Sequence, residues 1–125
     1  MDIENERPGE HFVQNVLKII EKNVSNPDFS VEDLSRGLFM SRSAVYRKLF
    51  ILTGKTPVEY IRTIRLERAA RLLQKTDKTV AEIAYETGFN NPKYFSRHFK
   101  AQFGVLPSTY HNTANDAGKD NNDDE

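Results

Sequence analysis

The stretch T79-V-A-E-I-A-Y-E-T-G-F-N-N-P-K-Y-F-S-R-H-F-K-A-Q-F-G-V-L-P-S-T-Y110 decides the fold, because an earlier stretch, S30-V-E-D-L-S-R-G-L-F-M-S-R-S-A-V-Y-R-K-L-F-I-L-T-G-K-T-P-V-E-Y-I61, is a version of it. At an offset of 49, Ser30, Val31 and Leu34 fall on Thr79, Val80 and Ile83. At an offset of 50, Val45, Arg47, Leu49, Gly54, Pro57 and Tyr60 fall on Phe95, Arg97, Phe99, Gly104, Pro107 and Tyr110. The register slips by one residue between the halves of the unit, where a turn absorbs it. Each copy reads as helix, turn, helix, with an arginine at the same place in the second helix. A duplicated two-helix unit with a repeated basic position points to two ligand elements spaced along a repetitive polymer, and duplex DNA is the obvious candidate.

Working outward, the spacing predicts an all-α fold of about seven helices. Residues 1–10 are polar, contain Pro8 and Gly9, and read as a flexible linker. From His11 to about Ser25, Phe12, Val13, Val16, Leu17, Ile20 and Val24 follow helical spacing. Ser30 with Asp33, and Thr79 with Glu82, are capping signals for the two short first helices, and Ser41 caps the helix that Gly54 stops. Thr56-Pro57-Val58-Glu59 starts a longer helix to about Lys75, roughly 28 Å of α-helix. Its apolar residues Val58, Ile61, Ile64, Leu66, Ala69, Leu72 and Leu73 cover a broad arc, as a helix facing two small subdomains requires. The expected organisation is therefore a first subdomain at 11–54, a linker helix at 56–75 and a second subdomain at 79–110, all within one DNA-binding region 11–110. Residues 111–125 have no apolar periodicity and are expected to be a disordered acidic tail.

Charge sharpens the functional reading. The chain carries 18 Lys and Arg against 18 Asp and Glu. Residues 28–110, however, hold 14 against 8, while residues 1–27 hold 3 against 5 and residues 111–125 hold 1 against 5. A basic repeat region lies between acidic flanks, an asymmetry that the overall balance conceals. Cysteine is absent, which excludes disulfides and thiolate metal sites. The short apolar runs and the lack of a signal-peptide pattern imply a cytoplasmic protein, or the cytoplasmic piece of a larger one that a sensor region elsewhere anchors in a membrane.

Projected at 100° per residue, Val45, Leu49 and Leu52 share one side of the second helix of the first unit, as do Phe95, Phe99 and Gln102 in that of the second; these sides are expected to be buried. Ser43, Arg47 and Phe50 lie opposite in the first, and Lys93, Arg97 and Lys100 in the second. Arginine can pair bidentately with guanine O6 and N7, while Ser, Asn and Lys can contact base edges or phosphates. Tyr46 and Ser96 flank these faces, Arg42 is a further cation, and the helix start at Asn90 and Asn91 is expected to leave backbone N–H groups for a phosphate. The candidate DNA-binding set is thus Arg42, Ser43, Tyr46, Arg47, Asn90, Asn91, Lys93, Ser96, Arg97 and Lys100. Arg65 and Arg68 fall in the apolar arc of the long helix and are expected to pack their stems and pair with acidic groups.

The run I-A-x-x-x-G-F-x-x-x-x-Y-F-S-R-x-F-K-x-x-F-G-x-x-P-x-x-Y at residues 83–110, with RLERAARLL at 65–73, resembles the C-terminal DNA-binding domain of the AraC/XylS family of transcription regulators. That resemblance covers about residues 11–110. It implies two helix-turn-helix subdomains joined by a linker helix, with recognition helices at about 42–52 and 92–103 in successive major-groove segments. It carries contact roles to Ser43, Tyr46, Arg47, Lys93, Ser96 and Arg97. The helix at 11–25 makes the chain most similar to the output domain of hybrid two-component regulators, which implies an upstream receiver domain and RNA polymerase as partners. One departure is Phe39, which stands where the second unit has Gly88, so that a left-handed turn there carries strain. His11, His98 and His111 form no metal-ligand or general-base arrangement, so no enzyme, cofactor, metal or small-molecule substrate is expected. The alternative function is a protein–protein docking module without DNA readout, which would not need the basic excess in residues 28–110.

Overall fold

The computed structural model describes residues 9–110, and these are helical with no strand. Six helices are bounded: α1 (Glu10–Lys22), α2 (Val31–Leu38), α3 (Arg42–Thr53), α4 (Pro57–Lys75), α5 (Val80–Glu86) and α6 (Pro92–Phe103). A seventh, α7 (107–110), runs to the last described residue. The expected linker at 1–10, apart from Gly9 and Glu10, and the expected acidic tail lie outside the described residues.

The chain divides into two compact units, one of residues up to Val24 with Asp28–Ile64, the other of Ser25–Pro27 with residues from Arg65 onward. The division falls inside α4, between Ile64 and Arg65. The broad apolar arc of that helix is thereby explained: Ile61 and Ile64 belong to the core of the first unit, Leu66, Ala69, Ala70 and Leu73 to that of the second. Val58 departs from the arc and is 58% exposed.

In the first unit, α1 contributes Phe12, Val16 and Ile20 at a spacing of four, and these meet Phe29, Leu34, Val45 and Leu49. α1 is shorter than its periodicity implies, because the Asn23 side-chain amide donates to the Ile19 carbonyl at 2.8 Å and closes the helix there. Val24 is still buried, outside the helix. In the second unit the core is aromatic. Phe89, Phe95, Phe99 and Phe103 are linked by ring centroid distances of 5.1, 5.7 and 4.6 Å. Each fully buried side chain of this size contributes on the order of 1.5–3 kcal/mol.

Capping defines the helix starts. Ser30 Oγ accepts from the Asp33 N–H at 3.2 Å while Asp33 accepts from the Ser30 N–H at 2.9 Å. Thr56 with Glu59, and Thr79 with Glu82, repeat this reciprocal pair. The bonds hold the Asp33 and Glu59 carboxyls below their ordinary pKa values, in each case chiefly through the backbone N–H of the capping residue.

Arg65 is held by backbone carbonyls. It is only 6% exposed, and its guanidinium donates to the Thr87 carbonyl at 3.2 Å and to the Asn26 carbonyl at 3.2 Å. The Thr87 carbonyl, at the end of α5, offers partial negative charge without a second ion to desolvate. Arg68 is half-buried.

Candidate nucleic-acid interface

The two-helix units hold their second helices by matching devices. In the first unit, α2 ends with the Phe39 N–H on the Arg36 carbonyl at 3.1 Å and the Met40 N–H on the Ser35 carbonyl at 3.1 Å. In the second, the Gly88 N–H bonds the Tyr85 carbonyl at 3.1 Å and the Phe89 N–H the Ala84 carbonyl at 2.9 Å. Both are the same helix-terminating turn, with its pivot in the left-handed region. Gly88 has φ 88°, and Phe39 has φ 57° with its side chain 94% exposed. A phenylalanine therefore does adopt the left-handed turn, at a cost of about 1–2 kcal/mol.

These bonds also locate the register slip. Donors and acceptors correspond at an offset of 49 through Met40 and Phe89, and the helix caps Ser41 and Asn91 correspond at 50. Asn90 is the added residue, and it is exposed.

Ser41 caps α3 by accepting from the Ala44 N–H at 3.2 Å. Val45 and Leu49, both fully buried, pin the helix. Arg42, Ser43, Tyr46 and Arg47 are then all exposed on it. Tyr46 stacks on Phe50 with ring centroids 6.2 Å apart and planes 16° apart. Arg42, Ser43 and Tyr46 also line a groove of about 500 Å³ with Val31, Thr56, Pro57 and Val58. Lys48 is set apart, its ammonium lying 4.8 Å from the Phe12 ring centroid.

α6 is pinned by Phe95 and Phe99, both fully buried. Lys93, Arg97 and Lys100 are exposed and Ser96 is half-buried. The Arg97 guanidinium lies 5.9 Å from the Tyr94 ring, which in turn packs 4.2 Å from the His98 ring. Tyr94 was not among the expected site residues, although its place three before Arg97 on a helix was a signal for contact. His98 is a packing partner of Tyr94.

Two expectations are corrected. The start of α6 does not offer free N–H groups: Pro92 has none, and the Asn91 side-chain oxygen accepts from the N–H groups of Lys93 and Tyr94 at 2.8 and 3.3 Å. Asn91 is thus a helix cap whose acceptor is already used. Leu52 and Gln102, projected onto the buried sides, are exposed, since each lies in the last turn of its helix, beyond the core. Leu52 is met instead by the chain entering at Gly9, where a side-chain carbon would come within 2.5 Å of it.

The electrostatics of the two helices agree. Neither α3 nor α6 contains an Asp or Glu, and each carries three Lys or Arg. These cations sum to a positive field suited to phosphate. Among the described residues no group of His, Cys, Asp and Glu could hold a metal ion, and no helix is long and apolar enough to cross a membrane.

Residues 34–113 match the family model of a helix-turn-helix domain of the AraC type. The chain belongs to the AraC-type helix-turn-helix family. This family is one of transcription regulators, which is not an enzyme class. The AraC-type chain is 40% identical over 103 residues to "Histidine kinase P4" of Formosa agariphila, covering 82% of the chain and 8% of that relative. It is 36% identical over 95 residues to the "Transcriptional activator NphR" of Rhodococcus, covering 76% of the chain and 28% of NphR. The chain thus spans well under two thirds of the length of these relatives. Among solved structures, it is similar to the DNA-binding domain of AdpA in complex with a target DNA, with TM-score 0.76 and 32% identity over 86% of the chain and 95% of that structure. It is equally similar, at TM-score 0.76 and 30% identity over 86% and 88%, to the C-terminal domain of AraT, a response regulator from Geobacillus stearothermophilus.

Proposed function

We propose that this chain binds double-stranded DNA sequence-specifically and regulates transcription, with α3 and α6 reading successive major-groove segments. The observation that carries this reading is the recurrence of an exposed arginine, Arg47 and Arg97, at an offset of 50 on two helices whose opposite sides are fully buried. A helix pinned through Val45 and Leu49, or through Phe95 and Phe99, presents its arginine rigidly, as bidentate pairing with guanine requires. Ser43, Tyr46, Lys93 and Ser96 flank the arginines as further contacts to bases or backbone, and Arg42, Asn90 and Lys100 supply phosphate contacts. Asn91 enters this set through its side-chain amide donor alone. A protein-docking module would have no need of two helices free of acidic residues.

We also infer that the chain is the output region (residues 11–110) of a longer signalling regulator with an upstream receiver domain. The similarity to a response-regulator C-terminal domain, and to 8% of a histidine kinase, supports this. RNA polymerase is the partner on which a regulator so bound acts, and the bacterial cytoplasm is where it meets DNA.

Selection of binding sites from random duplexes, followed by footprinting, tests the reading. Two protected segments with centres about one helical turn, roughly 34 Å, apart are expected. Protection of one short segment, or none at any protein concentration, overturns it.

A further inference from the structure

The described chain leaves the second unit beside α6. The ring of Tyr110 lies 5.3 Å from Phe99 and 5.8 Å from Phe103, both on α6, and its hydroxyl accepts from the Gln74 amide at 3.1 Å. Residues 111–125 follow, with Asp116, Asp120, Asp123, Asp124 and Glu125 against Lys119 alone, and no large apolar side chain. A segment so composed has nothing to bury, but it has carboxylates for any basic surface within reach.

α6 offers such a surface. Lys93, Arg97 and Lys100 are exposed on it, the helix contains no acidic residue, and no described acidic residue forms an ion pair with any of the three. From Tyr110 to Asp116 an extended chain reaches about 20 Å. The 12 residues of α6 span about 18 Å. Asp116 and the four acidic residues after it can therefore lie along the whole basic face.

We propose that residues 111–125 dock on the basic face of α6 through Lys93, Arg97 and Lys100, as a tethered stand-in for the phosphates of DNA. The proposal rests on the DNA-binding reading above for its consequence, though not for the contact itself. The tail must leave α6 before any duplex can enter. It therefore weakens binding to cognate and random DNA by the same factor, set by the fraction of protein with α6 free. A short tether gives an effective concentration in the millimolar range, so even a contact of millimolar affinity lowers apparent DNA affinity by roughly 2- to 10-fold. The contact consists of solvent-exposed charges, so salt dissolves it.

The test compares the full chain with a full chain whose tail is neutralised by Asp116→Asn, Asp120→Asn, Asp123→Asn, Asp124→Asn and Glu125→Gln. Two readouts are taken: amide chemical shifts of both proteins without DNA, and affinity for a random duplex and the selected site, each at about 50 mM and near 0.3 M salt. At low salt, neutralisation is expected to shift the amides around Lys93, Arg97 and Lys100 and to tighten binding to both duplexes by the same factor. Near 0.3 M salt both differences are expected to vanish. Unchanged α6 amides overturn docking; tighter binding without those shifts would mean long-range repulsion of phosphate by the tail. A gain that persists at high salt also overturns it. If neither protein binds any duplex, the DNA-binding reading has failed, and the amide shifts still decide whether the tail docks.

Discussion

Arg65→Met measures how much of the second unit hangs on one buried cation. Methionine keeps most of the apolar stem, so lost packing is minor and the change isolates the guanidinium. The native group donates to the Thr87 and Asn26 carbonyls, each at 3.2 Å. Hydrogen bonds from a charged donor contribute about 1.5–3 kcal/mol each, but this ion is 6% exposed and its desolvation offsets part of that. Burial accordingly lowers the Arg65 pKa from its ordinary value, although an arginine stays protonated at any working pH. Without the cation, water replaces the bond at Asn26, which is exposed, whereas the Thr87 bond is buried and its carbonyl loses a partner at about 1–3 kcal/mol. A net loss of about 2 kcal/mol is expected. For a domain near 100 residues that is roughly 8–16 °C in Tm. Arg65→Lys, whose single ammonium cannot span both carbonyls, is expected to fall between the two. Thermal unfolding followed by helical circular dichroism is the assay. A loss under about 0.5 kcal/mol for Arg65→Met, or a lysine variant as damaged as the methionine one, would refute the view that the bidentate bridge stabilises the fold.

Arg47→Ala and Arg97→Ala are each expected to cost about 1–3 kcal/mol on the selected site and to relax base preference in different half-sites, as read by competition binding against point-substituted duplexes. Arg42→Ala and Lys100→Ala are instead expected to weaken all sequences alike and to reduce the slope of affinity against salt. Asn91→Ala removes the cap of α6 and is expected to cost about 0.5–2 kcal/mol in urea unfolding. Asp33 and Glu59 have folded-state pKa values below their ordinary 3.8 and 4.5, so their capping bonds contribute in full above those values and fade as pH falls through the lowered ones. The double variant Asp33→Asn, Glu59→Gln should therefore flatten the loss of stability on acidification below about pH 5 while leaving its course near neutrality unchanged.

Most of the architecture was legible because local chemistry and the repeat agree. Ser30, Thr56 and Thr79 each announce a helix start with an acidic residue three positions later, and all three form the reciprocal bonds. The offset of 50 carries Val45 and Leu49 onto Phe95 and Phe99, and all four are fully buried, so the arginines two residues beyond Val45 and Phe95 must face outward. What failed to show in the sequence depends on distance and competition. A helical projection gives an angle but not how far the core extends, which is why Leu52 and Gln102 are exposed on sides that are buried one turn earlier. The pairing of Arg65 across 22 and 39 residues has no local signature. Asn91 has one, but a cap and a phosphate site make the same demand on the same N–H groups, and the side chain already present satisfies it.

The single-residue slip shows the same limit more sharply. Comparison of the two stretches confines it to the turn but cannot say which residue is extra, because Met40, Phe89 and Asn90 are unlike one another. Hydrogen bonding resolves it: the paired donors run at 49 through Met40 and Phe89, and the caps resume at 50, leaving Asn90 over. Two consequences follow for the interface. The approach to α6 is longer by one exposed polar residue than the approach to α3, so the two helix starts are not equivalent even though their arginines are. The faces differ as well, since Tyr46 and Phe50 stack on α3 where α6 has Ser96 and Lys100. An apolar stack suits a thymine methyl and a lysine suits a phosphate. The buried side and the arginine thus recur in both units while the neighbouring positions differ in chemistry, as the proposed reading of two different half-sites requires.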